Sequence, residues 1–264
     1  MTMKIAVITG ASSGMGMETA IQLADRFGKQ LDEIWLIARR RERMEALDGH
    51  VPVRLRLFPM DITDRIQLEQ LKIALETEMP KVVFLVNAAG FGKIGTIGSL
   101  PLEAEMGMVQ LNAQALLTVT HLVLPYMARN GRIIQYASAA AFLPQPGFAI
   151  YAATKAFVLS YSRGLNTELK SRGICVTAVC PGPVKTEFFD IAETTGNIPL
   201  YKRLAMADPV KVVKQAITDS VMGKSISVYG ITMKLFLILS KGIPHSWILT
   251  IWGCLNRKKT AEKR

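Results

Sequence analysis

Cysteine is scarce in this 264-residue chain: there are three, an odd number and too few for a disulfide framework. Histidine is equally sparse. His50, His121 and His245 are scattered, with no His-Glu-x-x-His spacing and no carboxylate at ligand spacing, so no metal site is expected. Acidic residues are in deficit, 21 against 32 Lys+Arg, which leaves a net charge of +11. No apolar run reaches membrane-spanning length cleanly. The uncharged windows 106–128 and 133–154 contain Gln110, Asn112, Gln114, His121 and Pro125, and Gln135, Pro144, Gln145, Pro146 and Gly147, so both read as buried elements. The run Ile5–Ile8 is too short for a signal-peptide core and no small-residue cleavage site follows, which makes a cytoplasmic location the expectation.

What the chain does have is apolar content: 50% of its residues are hydrophobic, which excludes a disordered polymer. One α/β domain is expected over residues 1–256, followed by a basic tail at 257–264. The positive charge raises nucleic acid and membrane as partners. No basic helix interleaved with aromatics is present, so no nucleic-acid partner is expected. In the apolar segment 226–256, Leu235–Leu239 and Trp247–Trp252 flank Lys241, Gly242, Pro244 and His245. Neither half can span a bilayer. A pair of short amphipathic helices resting on a partner subunit or on a membrane surface fits better, and the tail itself reads first as a frayed polar end.

Strand-like and helix-like patterns alternate along the chain. Strand runs are Ile5–Thr9, Ile34–Ala38, Val53–Phe58, Val82–Val86, Arg132–Ala137 and Ile174–Cys180. Helical patterns cover Gly14–Phe27, Arg41–Leu47, Asp64–Glu78, Leu102–Met127 and Tyr151–Ser171. Val82–Val86 is apolar throughout, as a central parallel strand must be, whereas Val53–Phe58 alternates apolar with basic residues and suits an edge. The order predicts a doubly wound parallel sheet with helices on both faces.

The first strand runs into Thr9-Gly10-Ala11-Ser12-Ser13-Gly14-Met15-Gly16, with a helix starting inside the turn. Glycines there permit a sharp turn and close approach of a pyrophosphate, to which the helix N-terminus offers N–H groups and partial positive charge. The spacing resembles that of the short-chain dehydrogenase/reductase superfamily. Four further matches follow in order: Asn87-Ala88-Ala89-Gly90, Asn112, Ser138 with Tyr151-x-x-x-Lys155, and Pro181-Gly182-Pro183-Val184-Lys185-Thr186. Ala88 and Ala137 depart from the residues common at their positions without removing a catalytic group. The resemblance covers roughly residues 3 to 190 and implies a single-domain Rossmann fold and an NADP(H)- or NAD(H)-dependent oxidoreductase. It further implies cofactor contacts from Gly10, Ser12, Ser13, Gly14, Met15, Gly16, Asn87, Ala88, Gly90, Tyr151, Lys155, Pro181, Gly182, Val184 and Thr186, and from Asp61 and Ile62 at the adenine.

The second strand ends Ala38-Arg39-Arg40-Arg41, with no acid to accept the ribose hydroxyls of NAD. A guanidinium there grips a 2′-phosphate with two-pronged, charge-assisted bonds, so NADP(H) is the expected cofactor and Arg39 the expected contact. Arg41 and Arg43 read as a solvated helix start.

Tyr151 and Lys155 lie four residues apart and share a helix face. A tyrosine of pKa about 10 is a poor base near neutrality. An ammonium about 4 Å away at an effective dielectric of about 20 supplies about 4 kcal/mol, roughly three pKa units. Tyr151 is therefore expected as the general acid/base near physiological pH, with Ser138 orienting the reacting oxygen. The resemblance implies that Lys155 also holds the nicotinamide ribose and that Asn112 supports a water relay.

Residues 183–210 are expected to form a substrate flap, carrying Phe188, Phe189, Ile191, Ile198, Leu200, Tyr201 and Leu204. With Phe142, Leu143 and Phe148 beside Ser138, it predicts an apolar carbonyl or secondary alcohol: a hydroxysteroid, a bile-acid-like ring system or a long-chain ketone. The alternatives are a 3-oxoacyl carrier-protein reductase and, in another class, a non-catalytic NADP(H)-binding regulator. The resemblance also implies a homodimer or homotetramer. Cys175 and Cys180 read as plain buried thiols.

Overall fold

Residues 5 to 8 of the first strand point alternately to two different cores, and the whole architecture follows from that alternation. Ile5 and Val7 join one apolar cluster, Ala6 and Ile8 another, and all four are fully buried. The computed structural model describes residues 2–192, 206–247 and 249–250. Among these, seven strands form one parallel sheet: β1 (Lys4–Thr9), β2 (Glu33–Ala38), β3 (Arg54–Pro59), β4 (Lys81–Asn87), β5 (Met127–Tyr136), β6 (Cys175–Val179) and β7 (Ile226–Ser227). Their spatial order is β3-β2-β1-β4-β5-β6-β7, which puts β4 near the centre and β3 at an edge, as their compositions require. This is the doubly wound Rossmann-like sheet.

Helices cover both faces. On one lie α1 (Gly14–Phe27), α2 (Arg41–Glu45) and α8 (Pro209–Val221), which contribute Leu23, Met44, Val213 and Ile217. On the other lie α3 (Arg65–Glu78), α5 (Leu116–Val123) and α6 (Ala149–Glu168), which contribute Leu71, Val119 and Leu165. Asp64 caps α3 by accepting from the backbone N–H groups of Ile66 and Gln67. The short α7 (Phe188–Ala192) follows β6, and α9 (Ile231–Gly242) follows β7.

Two expected elements differ in detail. The helix expected over Leu102–Met127 is three segments: α4 (Leu102–Val109), a π-helical stretch Gln110–Ala115, and α5. It is long and apolar enough to cross a membrane by composition, yet its inner side, Ala115, Leu116, Val119 and Val123, is buried in the cores. β5 begins at Met127 rather than Arg132, because Asn130 adopts a left-handed conformation (φ 62°) and the β4–β5 register shifts between Val82 and Phe84, so the chain kinks and stays in the sheet. Of the expected flap, residues 193–205 lie outside the described residues, and with them Ile198, Leu200, Tyr201 and Leu204; so does the basic tail 257–264.

Leu71 is fully buried whereas Ile66, on the same helix, is 85% exposed. Leu71→Ala is expected to cost about 2–5 kcal/mol of unfolding free energy. Ile66→Ala should stay within about 0.5 kcal/mol. Urea denaturation of the two variants checks the assignment of the core face.

Candidate active site

The glycine turn after β1 packs backbone on backbone. Gly10 has φ +68°, and a Cβ there would fall 2.7 Å from the Ala89 nitrogen beyond β4. At Gly16 a Cβ would fall 2.3 Å from the Gly10 carbonyl oxygen. Thr9 ties the turn to β4: its Oγ1 accepts from the N–H groups of Ala88 (3.2 Å) and Ala89 (3.4 Å). The side chain of Ser13, the N-cap of α1, makes no cap hydrogen bond. The first-turn N–H groups thus face a cleft of about 480 Å³ at the carboxyl ends of the strands.

That cleft is lined by Gly10, Ser12, Ser13, Gly14, Met15, Gly16, Arg39, Asp61, Ile62, Ala88, Gly90 and Thr186, all singled out from the sequence. Asn87, Tyr151, Lys155, Pro181, Gly182 and Val184 lie outside its lining. Asn87 is buried between sheet and α5, where its Nδ2 donates to Thr120 Oγ1 (2.9 Å) and Gln135 Oε1 (3.1 Å) while its Oδ1 has no partner. Pro181 is buried and its carbonyl accepts from the Ala139 N–H (2.9 Å). Arg40, Lys93 and Glu187 line the cleft without having been anticipated.

Arg39 and Arg40 both line the cleft but differ in their contacts. Arg39 is largely exposed, its Nη1 3.9 Å from Asp61. Arg40 reaches inward instead, donating to Ser13 Oγ (2.7 Å), Ser12 Oγ (3.3 Å) and Glu187 Oε2 (3.0 Å). Arg43, expected to be solvated, also pairs with Glu187. The two guanidiniums hold the Glu187 carboxyl below its ordinary range. The run Arg39-Arg40-Arg41 signalled the site, but only the fold could say which arginine turns in.

Beside Gly90 the residues expected to carry the chemistry meet. A Cβ on Gly90 would lie 2.9 Å from Asn112 Oδ1 and 3.3 Å from Lys155 Nζ. Asn112 sits in the π-helical stretch, fully buried. It exchanges hydrogen bonds with the Phe91 backbone (Nδ2 to O 2.8 Å, N to Oδ1 3.0 Å) and donates to Thr154 Oγ1 (3.1 Å). Lys155 Nζ donates to the Tyr136 carbonyl at the end of β5 (2.7 Å) and lies 5.7 Å from the Tyr151 ring centroid. The Ser138 hydroxyl is close enough to Tyr151 to lower the proton affinity of its hydroxyl. The Tyr151 ring is stacked on Phe148 (4.3 Å between centroids) and tilted against Phe188 (5.3 Å), which leaves it 7% exposed.

Burial sets the proton affinities here. It pushes the Tyr151 hydroxyl up to about 12, the Ser138 hydroxyl acting in the opposite direction, and it drives Lys155 from the usual 10.5 down to about 8. The expectation of a tyrosine brought to neutral pH by its lysine does not hold for the protein by itself. Desolvation under two phenyl rings outweighs an ammonium anchored on a backbone carbonyl. Tyr151 is thus a proton donor at neutrality. Cys180 and Cys175 are buried free thiols, Cys180 pushed up to about 12 by burial.

The short chain dehydrogenase family model matches residues 4–195. Serine 3-dehydrogenase of Rhizobium radiobacter is 37% identical over 194 residues, 72% of this chain and 76% of that protein. Among solved structures, a short-chain dehydrogenase from Sphingobium yanoikuyae in complex with NADPH superposes with TM-score 0.75 at 26% identity, covering 98% of this chain and 94% of the other. The bulky-bulky ketone specific alcohol dehydrogenase from Comamonas testosteroni gives 0.72 at 26% identity, covering 92% and 93%.

The lysine yields a pH signature. Unfolded, it keeps its proton to about 10.5; folded, it loses it near 8, so between these values the unfolded state binds more protons and stability rises with pH. The full effect is on the order of 3 kcal/mol. The Tm of the native protein relative to Lys155→Met should therefore climb between pH 7.5 and about 10. Parallel Tm profiles for the two proteins would show that the ammonium is not desolvated.

Proposed function

Because the chain belongs to the short-chain dehydrogenase family, we propose that it is an NADP(H)-dependent oxidoreductase acting on a carbonyl or secondary alcohol. The observation that carries this reading is the meeting of Asn112, Ser138, Tyr151 and Lys155 within one buried cluster next to the glycine-lined cleft. The cleft suits a phosphorylated dinucleotide. Its backbone admits no Cβ at Gly10 or Gly16, and Ser13 with Arg40 offers a hydroxyl and a guanidinium where a 2′-phosphate needs them. Arg39, on the rim, supplies a second cation. Gly10, Ser12, Ser13, Gly14, Met15, Gly16, Asp61, Ile62, Ala88, Gly90 and Thr186 would hold the remainder.

When bound, the cofactor supplies or accepts the hydride. Tyr151 Oη, protonated at neutrality, donates the proton to the carbonyl oxygen, and Ser138 Oγ orients that oxygen. Lys155 keeps a positive charge behind the departing proton and so stabilises the phenolate. Asn112 fixes the Phe91 backbone and Thr154, and through Thr154, whose Oγ1 donates to the Tyr151 carbonyl (2.8 Å), the first turn of α6.

The wall of Phe148, Phe188 and Gly92 around Tyr151 supports an apolar substrate, a ketone with bulky or long-chain substituents. A second reading, a 3-hydroxy acid, is favoured by Lys93, one residue from Gly92 and in the cleft lining, which offers a cation to a carboxylate. A homodimer or homotetramer is supported by the exposed Leu102, Met106 and Val109, which share one side of α4.

NADPH-absorbance assays with aliphatic and steroid ketones and 3-oxo acids plus NADPH, and with serine plus NADP+, repeated with NADH and NAD+, discriminate these readings. Tyr151→Phe should bind NADPH as the native protein does yet lose at least about a hundredfold in turnover. Arg40→Ala should weaken NADPH by about tenfold or more and leave NADH nearly unchanged. Equal weakening of both would move the phosphate contact elsewhere.

A further inference from the structure

Helix α9 is apolar on two sides, and among the described residues the body of the protein covers only one. Met233, Phe236 and Leu237 pack onto the cluster of Phe142, Ala178 and Cys180, with the Phe142 and Phe236 rings 6.0 Å apart. Met233 also closes over Gly182, where a Cβ would meet its Sδ at 2.7 Å. The other side carries Ile231 (85% exposed), Leu235 (54%) and Ile238 (66%), one helical stripe, and Trp247 beyond it is 67% exposed. A stripe of this kind on a lone surface calls for a cover.

Charge selects the cover. The only ionisable side chains on α9 are Lys234 and Lys241. From residue 220 onward the sequence carries Lys224, Lys234, Lys241, Arg257, Lys258, Lys259, Lys263 and Arg264 against the single acid Glu262. Two copies of such a face would oppose like charges, whereas an anionic lipid headgroup layer complements it, each basic residue near that layer adding attraction. A tryptophan at the end of the stripe suits the headgroup boundary.

We propose that α9 is a membrane-docking helix, which lays Ile231, Leu235 and Ile238 into the headgroup–acyl boundary of an anionic bilayer while Lys234 and Lys241 contact the headgroups. The opposite side of the helix rests on Phe142, in the turn that Ser138 begins, and on Gly182. Docking therefore brings the turn that Ser138 begins to the side of the protein facing the lipid, with α9 between them, and the substrate reaches the site from the bilayer. This last step rests on the apolar-substrate reading above; the docking itself does not.

The test is flotation of the full-length protein with vesicles of equal parts phosphatidylglycerol and phosphatidylcholine, and with phosphatidylcholine alone. Binding to the anionic vesicles, weakened by salt and at least about tenfold poorer to the neutral ones, is expected. The Leu235→Asp/Ile238→Asp double variant should lose binding by about tenfold or more while reducing a water-soluble ketone with NADPH at the native rate, which also certifies its fold. A Lys234→Gln/Lys241→Gln variant should lose only the salt-sensitive part. Absence of flotation at low salt overturns the proposal. So does a double variant that floats normally but sediments as a smaller oligomer, since α9 would then be an interface between copies. Flotation without turnover on any ketone would instead overturn the functional reading and leave the docking intact.

Discussion

The buried ammonium of Lys155, held 2.7 Å from the Tyr136 carbonyl, is the contact on which the site depends. The carbonyl belongs to the last residue of β5, the lysine to the second turn of α6, so one hydrogen bond fixes the helix against the sheet at the level of the cleft. Tyr151 sits one turn earlier on the same helix, and its position relative to Ser138, just past β5, is set by that bond together with the Asn112–Thr154 contact that holds the first turn of α6. The cost is a cation in a dry environment. A charge-assisted bond to a carbonyl compensates only part of it. The same burial makes the neighbouring tyrosine hold its proton more tightly, while it lowers the proton affinity of the lysine and so works against the charge behind it.

Much of the scaffold was legible from one-dimensional pattern. The fully apolar Val82–Val86 marked the centre of the sheet, and the basic alternation of Val53–Phe58 marked its edge, because burial on both faces or one face writes itself directly into composition. Gly14–Phe27 was bounded by its glycine turn and its apolar period. Within the site, the spacing of Tyr151 and Lys155 placed them on one helix face without any tertiary information.

What was not legible depends on contacts between distant segments. Arg39 and Arg40 are neighbours of identical chemistry, and only the position of Ser12, Ser13 and Glu187 decides which one turns inward. The protonation of Tyr151 depends on Phe148 and Phe188 closing over it, a desolvation that no pairwise distance to a lysine contains. The roles of Tyr136 and Thr154 are played by a backbone carbonyl and a small hydroxyl, groups that every sequence offers in quantity.

The π-helical stretch at Asn112 joins two helices with different obligations. α4 turns Gly107 toward the cleft, and Gln110 and Leu111 follow it there, whereas α5 sends Val119 and Val123 into the core. A regular helix has one phase and serves one direction; the widened turn gives the chain an extra fraction of a residue in which to change phase. Deleting a residue between 110 and 115 would restore regular hydrogen bonding and improve the helix as a helix. It would also rotate one of its halves out of register with its task, so the irregularity is what allows a single rod of chain to be both wall and pillar.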